Sequence, residues 1–434
     1  MKIRLKVLFA TLMVLLLLLS ACSSDKETIK YEGDPAMKAT LKVMSIESER
    51  QIMEEYGDLF KAKYPNIELE IVNYQWRNTA SLNKVLEEEK PDVFSITSND
   101  EYEQFIQDNR MYDLSALLSN RDFDLEGIHP EVINYLRKVG DGKIYGIPSS
   151  FLSKAIYYNK DLFDKYGIPY PKDQMTWEEV IQLAKRFPSE DGISGLYMRN
   201  FSDFVNDMAW VSRINPVSEK DLAVTLNTES YRKIFELILD GYQTKAVNLP
   251  DIDLFEVYDP FITGTSAMTV DYYYYINNNI NWATEEKGDQ FHLNWDVVSS
   301  PVDEFNRDIS PYFRVSGIVA INAESGQKQA AWELVKFINS EQLAKAKSRT
   351  VSVVVPTRTD YIYNPEGKRM EAFYNLKPDV NRKIINYNLF PNRFFGNLDG
   401  IINSEGKAVM VGVKTLDEAI ASMQERGQKL LDQK

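Results

Sequence analysis

The chain has 434 residues, 26% of them charged, and a formal net charge of -14. So acidic a surface repels phosphate backbones and anionic lipid heads, which argues against nucleic acid as a partner. One cysteine leaves no intrachain disulfide or thiolate metal cluster, and the two histidines, His129 and His292, stand in no metal-ligand or triad spacing.

Lys2, Arg4 and Lys6 open the chain, and residues 7–19 are apolar except for Thr11. That run is short for a bilayer-spanning helix and has the layout of a secretory signal. Leu19-Ser20-Ala21-Cys22 closes it and resembles the bacterial lipobox, whose cysteine is acylated and becomes the mature N-terminus. Residues 1–21 are therefore expected to be a lipoprotein signal peptide and Cys22 the lipidation site. Residues 22–37, polar with Gly33 and Pro35, read as a tether. The protein is then expected on the extracytoplasmic face of the cell membrane, held by lipid. An ordinary leader with a chance cysteine, or an uncleaved anchor, is the other reading. The chain from Cys22 onward exceeds the size at which one core stops growing, so two lobes are expected.

The first unit alternates strand and helix. Leu41 to Ile46 read as a buried strand, and Ile52, Tyr56, Leu59 and Phe60 form a helical stripe. Ile67, Leu69 and Ile71 alternate with glutamates, as in a half-buried strand. Residues 79–89 read as helix and 93–96 as strand. This β-α-β-α-β order predicts a mainly parallel sheet wrapped by helices, with ligands gathering at the carboxyl ends of its strands. Those ends carry Glu47, Trp76, Ser98, Asn99 and Asp100. Ser98, Asn99 and Asp100 are equally good N-caps for a helix over 101–109. Thr176-Trp177-Glu178-Glu179 is a capping box opening a helix through Phe187, with Trp177 read as a packing residue. Gly264 allows a turn before the apolar strand 267–270. Asp271 ends that strand, and Tyr272 to Tyr275 are expected in the first turn of a helix. Neighbours on a helix differ by about 100°, so roughly half of these tyrosines can face a cleft.

Several pieces of the chain together resemble the extracellular solute-binding proteins of sugar ABC transporters, the family typified by maltose-binding protein. They include Asp141-Gly142-Lys143-Ile144-Tyr145-Gly146-Ile147-Pro148, Tyr158-Asn159-Lys160-Asp161-Leu162-Phe163, Phe261-Ile262-Thr263-Gly264, Gly317-Ile318-Val319-Ala320-Ile321, Ala331-Trp332-Glu333-Leu334, Pro356-Thr357-Arg358 and Thr415-Leu416-Asp417-Glu418-Ala419. Their order spans roughly residues 40 to 430. The resemblance implies an α/β, two-lobed periplasmic-binding-protein-like fold with a ligand cleft between the lobes. It implies crossings near Pro148, Pro301 and 345–356, with lobe one at 38–148 plus 300–345 and lobe two at 149–299 plus 346–434. It further implies capture of an oligosaccharide by hinge closure and delivery to ABC transporter permease subunits, with no catalytic residues, cofactor or metal, by a protein acting as a monomer.

The second-lobe candidates are Asp271, Tyr272, Tyr274 and Trp210. Tyr274 falls near a position where the family often presents a sugar-stacking tryptophan. Tyr312 and Arg314 follow the return crossing, and Phe394 and Phe395 lie where the last segment often carries an aromatic contact. Core packing is the alternative for Trp210 and Phe394, and a surface ion pair for Arg314. Maltose-binding protein has an acidic sugar contact where Leu152 stands here, which argues against maltose. Arg314, Arg393 and Lys154 leave room for an acidic sugar. The rivals are the same fold binding a peptide or polyamine, a sugar-sensing protein, and a polysaccharide-degrading enzyme. For the last, no nucleophile elbow, phosphate loop or zinc motif is present.

Overall fold

The computed structural model describes residues 36–75, 79–119, 123–250, 257–349, 353–382 and 385–433. The leader, Cys22 and Trp76 lie outside them. In chain order the strands are β1 (Ala39–Ser45), β2 (Ile67–Asn73), β3 (Val93–Ile96), β4 (Gly146–Leu152), β5 (Lys154–Asn159), β6 (Ser194–Tyr197), β7 (Val217–Ser218), β8 (Ala223–Val224), β9 (Val247–Asn248), β10 (Ser266–Tyr272), β11 (Trp295–Ser299), β12 (Ile309–Ser310), β13 (Arg314–Ile321), β14 (Val355–Pro356) and β15 (Lys377–Pro378). They build two main sheets, one to a lobe.

The first sheet runs β14-β4-β13-β3-β1-β2. Apolar residues at consecutive positions let β1 bury both faces between parallel β2 and β3, with Val43 opposite Ile71 and Val93. The Glu-Leu-Glu alternation of β2 suits its place at the edge, where one face meets solvent. A helical path over 49–63 comes after β1, opened by Ser48, whose side chain forms a reciprocal capping box with Gln51. The sheet is mixed rather than mainly parallel. β13 returns from the second lobe and pairs antiparallel with both β3 and β4.

The second sheet runs β11-β5-β10-β6-β9, with β10, β6 and β9 parallel and β5 antiparallel to β10 and β11. One face packs under the helices Trp177–Ala184, Phe201–Val211, Glu229–Gln243, Phe394–Met410 and Leu416–Leu431. Trp177 is buried there after the Thr176 capping box, and its helix stops at Ala184, short of the expected Phe187. Gly406 lets the helix Phe394–Met410 lie against Phe201, whose ring carbon sits 2.3 Å from where a Cβ would be.

The crossings differ from expectation. Pro148 lies inside β4, and the first passage between sheets is at Ser153, between β4 and β5. The return runs between β11 and β13. Val355-Pro356, expected with the second lobe, pairs with β4 in the first sheet. Arg358 then ties this third segment to the first lobe, its Nε donating to the Asn339 carbonyl at 2.8 Å and its guanidinium to Asp124. Where the first two passages meet, Phe151 and Phe313 stack with centroids 4.4 Å apart and planes 3° from parallel.

Candidate functional site

The second lobe holds a cavity of about 260 Å³ at the carboxyl ends of parallel β6 and β10. Three pieces of backbone converge there. β6 runs out into Tyr197, Met198 and Arg199. β10 ends with Asp271 and Tyr272, and Tyr274 lies just beyond. β5 starts with Lys154, because it runs antiparallel to β10.

The fourth wall is the helix Phe201–Val211. Asn200 caps it, its side chain accepting the Asp203 N–H at 2.8 Å. Asp203, Asn206, Asp207 and Trp210 fall at i, i+3, i+4 and i+7 and therefore share one helical face, turned to the cavity. Asp399, from the helix Phe394–Met410, completes the wall by accepting from Asn206 Nδ2 at 3.0 Å.

Charge inside the cavity is arranged in pairs. Lys154 Nζ donates to Asp207 Oδ1 at 2.8 Å and Oδ2 at 2.7 Å, and both side chains are buried. Burial works against the ammonium, but Asp207, Tyr272 and Asp271 outweigh it and keep its pKa above the ordinary value. Burial pushes Asp207 up to about 6 against the pull of Lys154. Arg199 is held by Asp203 at 2.7 Å. Among the described residues Asp271 is in no ion pair; burial raises its pKa, with Lys154, the Tyr272 N–H and Arg199 opposing. Asp259, deeper still, accepts the N–H groups of Phe261 and Ile262 and the Tyr275 hydroxyl, and burial pushes it up to about 6.

Aromatic surface stands beside these carboxylates. The rings of Tyr272 and Tyr274 stack at 5.3 Å and 29°. Lys154 Nζ lies 4.7 Å from the Tyr272 centroid, and Trp210 lines the same space. Carboxylates and amides that accept or donate to hydroxyls, next to flat ring faces, suit a ligand with many hydroxyls and apolar C–H faces.

The sequence-derived candidates divide by position. Asp271, Tyr272, Tyr274 and Trp210 line the cavity. Tyr272 sits in β10 and not in a helix, while Tyr273 and Tyr275 turn inward and are buried. Tyr312 lies beneath the cavity, fully buried, its hydroxyl donating to the Asp207 carbonyl at 3.0 Å. Phe394 is packed in the second core, where the ring faces Phe390 and Phe395, so it offers no surface to a ligand. Phe395 packs on Tyr387 and Phe390 outside the cavity lining. Arg314 stands at the start of β13, opposite Leu152.

Among the described residues, the first lobe contributes nothing to the cavity lining. Glu47 lies near Glu55 and Lys347 instead. Ser98 is the N-cap of the helix Asn99–Gln107, accepting from Glu101 N at 3.2 Å. Asn99 and Asp100 occupy that helix's first turn, and the charge of Asp100 favours the Arg382 guanidinium. Sequence reasoning missed Asp203, Asn206, Asp207, Arg199, Asp399 and Arg382 altogether. The polar stripe at 203, 206, 207 and 210 was a usable signal; the others come from segments distant in sequence.

Residues 45–345 match the model of the bacterial extracellular solute-binding protein family. The chain belongs to this family. Its members capture a solute without transforming it, outside the cytoplasm. Among characterised relatives, the sn-glycerol-3-phosphate-binding periplasmic protein of Brucella abortus is 27% identical over 127 residues. That stretch is 27% of this chain, and it spans only 29% of the relative's length. In fold, the chain is similar to the sugar-binding protein MalE from Xanthomonas citri (TM-score 0.59, 17% identity, covering 90% of this chain and 97% of that one). It is also similar to an ABC substrate-binding protein from Listeria monocytogenes in complex with cycloalternan (TM-score 0.57, 18% identity, 91% and 99%). The solute-binding proteins' two-lobed fold is therefore this chain's fold.

Proposed function

We propose that this solute-binding protein captures a sugar, an oligosaccharide, and hands it to an ABC importer, while lipid on Cys22 holds it to the membrane. The observation that carries this reading is the stacked Tyr272–Tyr274 pair beside Trp210 and Asp271 in one cavity. Similar structures with bound or named sugars support it, as does the polyol phosphate named for the Brucella relative. A ring stacked on a sugar face is worth on the order of 0.5–1.5 kcal/mol beyond its area burial, so a few such contacts with hydrogen bonds reach micromolar affinity. Ligand that touches both lobes only when they approach each other shifts the population to the closed form, which the permease then distinguishes. The passages at Ser153 and between β11 and β13 are the points that rotate.

A thermal-shift screen of the purified protein against plant and bacterial glycans tests this, because excess ligand raises the melting temperature by mass action. Stabilisation by a saccharide that is reduced in Tyr274→Ala and Asp271→Asn supports the reading. The excess of aspartates over cations in the cavity gives a polyamine some claim, and spermidine is the counter-arm. Stabilisation by spermidine with no response to any saccharide replaces the sugar with a polyamine. Metabolic labelling with a palmitate analogue, abolished by Cys22→Ser, tests the anchor.

A further inference from the structure

We propose that Arg314 and Arg382 form an anion-accepting rim beside the cavity, so that the sugar taken by this protein carries an acidic group on the end that faces them. This rests on the sugar-binding reading and narrows its substrate class.

The cations inside the cavity are already paired. Lys154 is held by Asp207 and Arg199 by Asp203. Arg314 and Arg382 differ: among the described residues neither is within ion-pair distance of a carboxylate. Asp379, three residues before Arg382, is taken by Arg213, whose Nε donates to it at 2.6 Å. The charge of Asp100, in the first lobe, favours the Arg382 guanidinium against its burial.

Their placement joins them to the cavity. The Arg382 guanidinium lies 4.8 Å from the centroid of Trp210, the indole that lines the pocket. Arg314 is opposite Leu152, two residues before Lys154, and its charge acts on both Tyr272 and Arg382. Two half-buried guanidiniums that repel each other are costly to hold together without a counter-charge. A ligand can supply it. The planar fork of a guanidinium matches a carboxylate, sulfate or phosphate with two parallel hydrogen bonds.

The anion cannot sit deeper. Asp203, Asp207, Asp271 and Asp399 line the interior and repel it, yet they accept hydrogen bonds from sugar hydroxyls. The site is therefore polar end to end: hydroxyls inward, acid at the rim.

Calorimetry of the purified protein with matched pairs decides this. Trigalacturonate is set against galactotriose, and galactose 6-phosphate against galactose, so that carboxylate and phosphate sources are told apart. In the wild type, the acidic member of at least one pair binds about tenfold or more tighter, and the preference shrinks as salt rises from about 50 to 500 mM. Arg382→Gln weakens the acidic member at least about tenfold more than the neutral one. Arg382→Lys, which keeps the charge but loses the fork, falls between. Arg314→Gln acts in the same direction; should it fail to fold by circular dichroism, Arg382→Gln carries the result. Equal affinities within every pair, or equal loss for both members in Arg382→Gln, overturns this inference and leaves sugar binding standing. Binding of no saccharide overturns both.

Discussion

Lys154 and Asp207 form a buried ion pair that joins the first residue of β5 to the helix Phe201–Val211, with both carboxylate oxygens within 2.8 Å of Nζ. It fixes the helix face that carries Asp203, Asn206 and Trp210 against the strand ends that carry Asp271 and Tyr272. Removing one partner strands the other charge in a dry site. Lys154→Met is expected to lower unfolding free energy by about 3–5 kcal/mol, and Lys154→Met with Asp207→Leu to recover most of that loss. Urea denaturation of the two variants checks it; equal losses in both would show that the pair is not what holds the wall.

Tyr274 offers a ring to the cavity without supporting Lys154, whereas Tyr272 does both. Tyr274→Ala is expected to weaken binding of the sugar found by screening about 3- to 10-fold, and Tyr274→Phe to leave it nearly intact. Tyr272→Ala is expected to lower the melting temperature as well. Calorimetry paired with thermal unfolding separates the two roles.

Asp259 gives a pH dependence whose sign is set by its burial. Its carboxyl is pushed up to about 6, so the folded chain takes up this proton before the unfolded chain does. The share of stability from this group is complete at acidic pH and is lost as the pH rises through about 6. Wild type is therefore expected to gain on Asp259→Asn as the pH falls from about 7.5 to 4.5. Melting temperatures of both proteins across that range test the sign, and a constant gap would mean Asp259 does not titrate there.

Phe313 closes the stack with Phe151 where the chain passes between lobes, and both rings are buried. Phe313→Ala is expected to cost about 3–5 kcal/mol in urea unfolding through the cavity it leaves. Phe313→Leu, which keeps most of the volume, is expected to cost much less. Similar losses for the two would locate the effect outside packing.

Much of the local structure was legible because it is written in short-range patterns. The alternation at 67–71, the short strand at 93–96 and the Thr176 capping box each depend on residues a few positions apart. The tyrosine run also announced that some rings would face outward. What misled was distance. Pro148 suggested a crossing, but its strand continues to Leu152 because β13 pairs alongside it. Phe394 was an attractive aromatic, yet the helix it begins turns that ring into the second core.

Sequence alone determined the class: two α/β lobes, an acidic body, and a run of motifs shared with solute-binding proteins, since these depend on composition, periodicity and order along one chain. Tertiary structure decided which side chains meet. Lys154 and Asp207 are 53 positions apart, Asn206 and Asp399 are 193 apart, and Arg382 comes to Trp210 from another segment entirely. No local pattern encodes such pairings, because they are set by where β5 runs antiparallel to β10 and by which helix face the second core leaves outside.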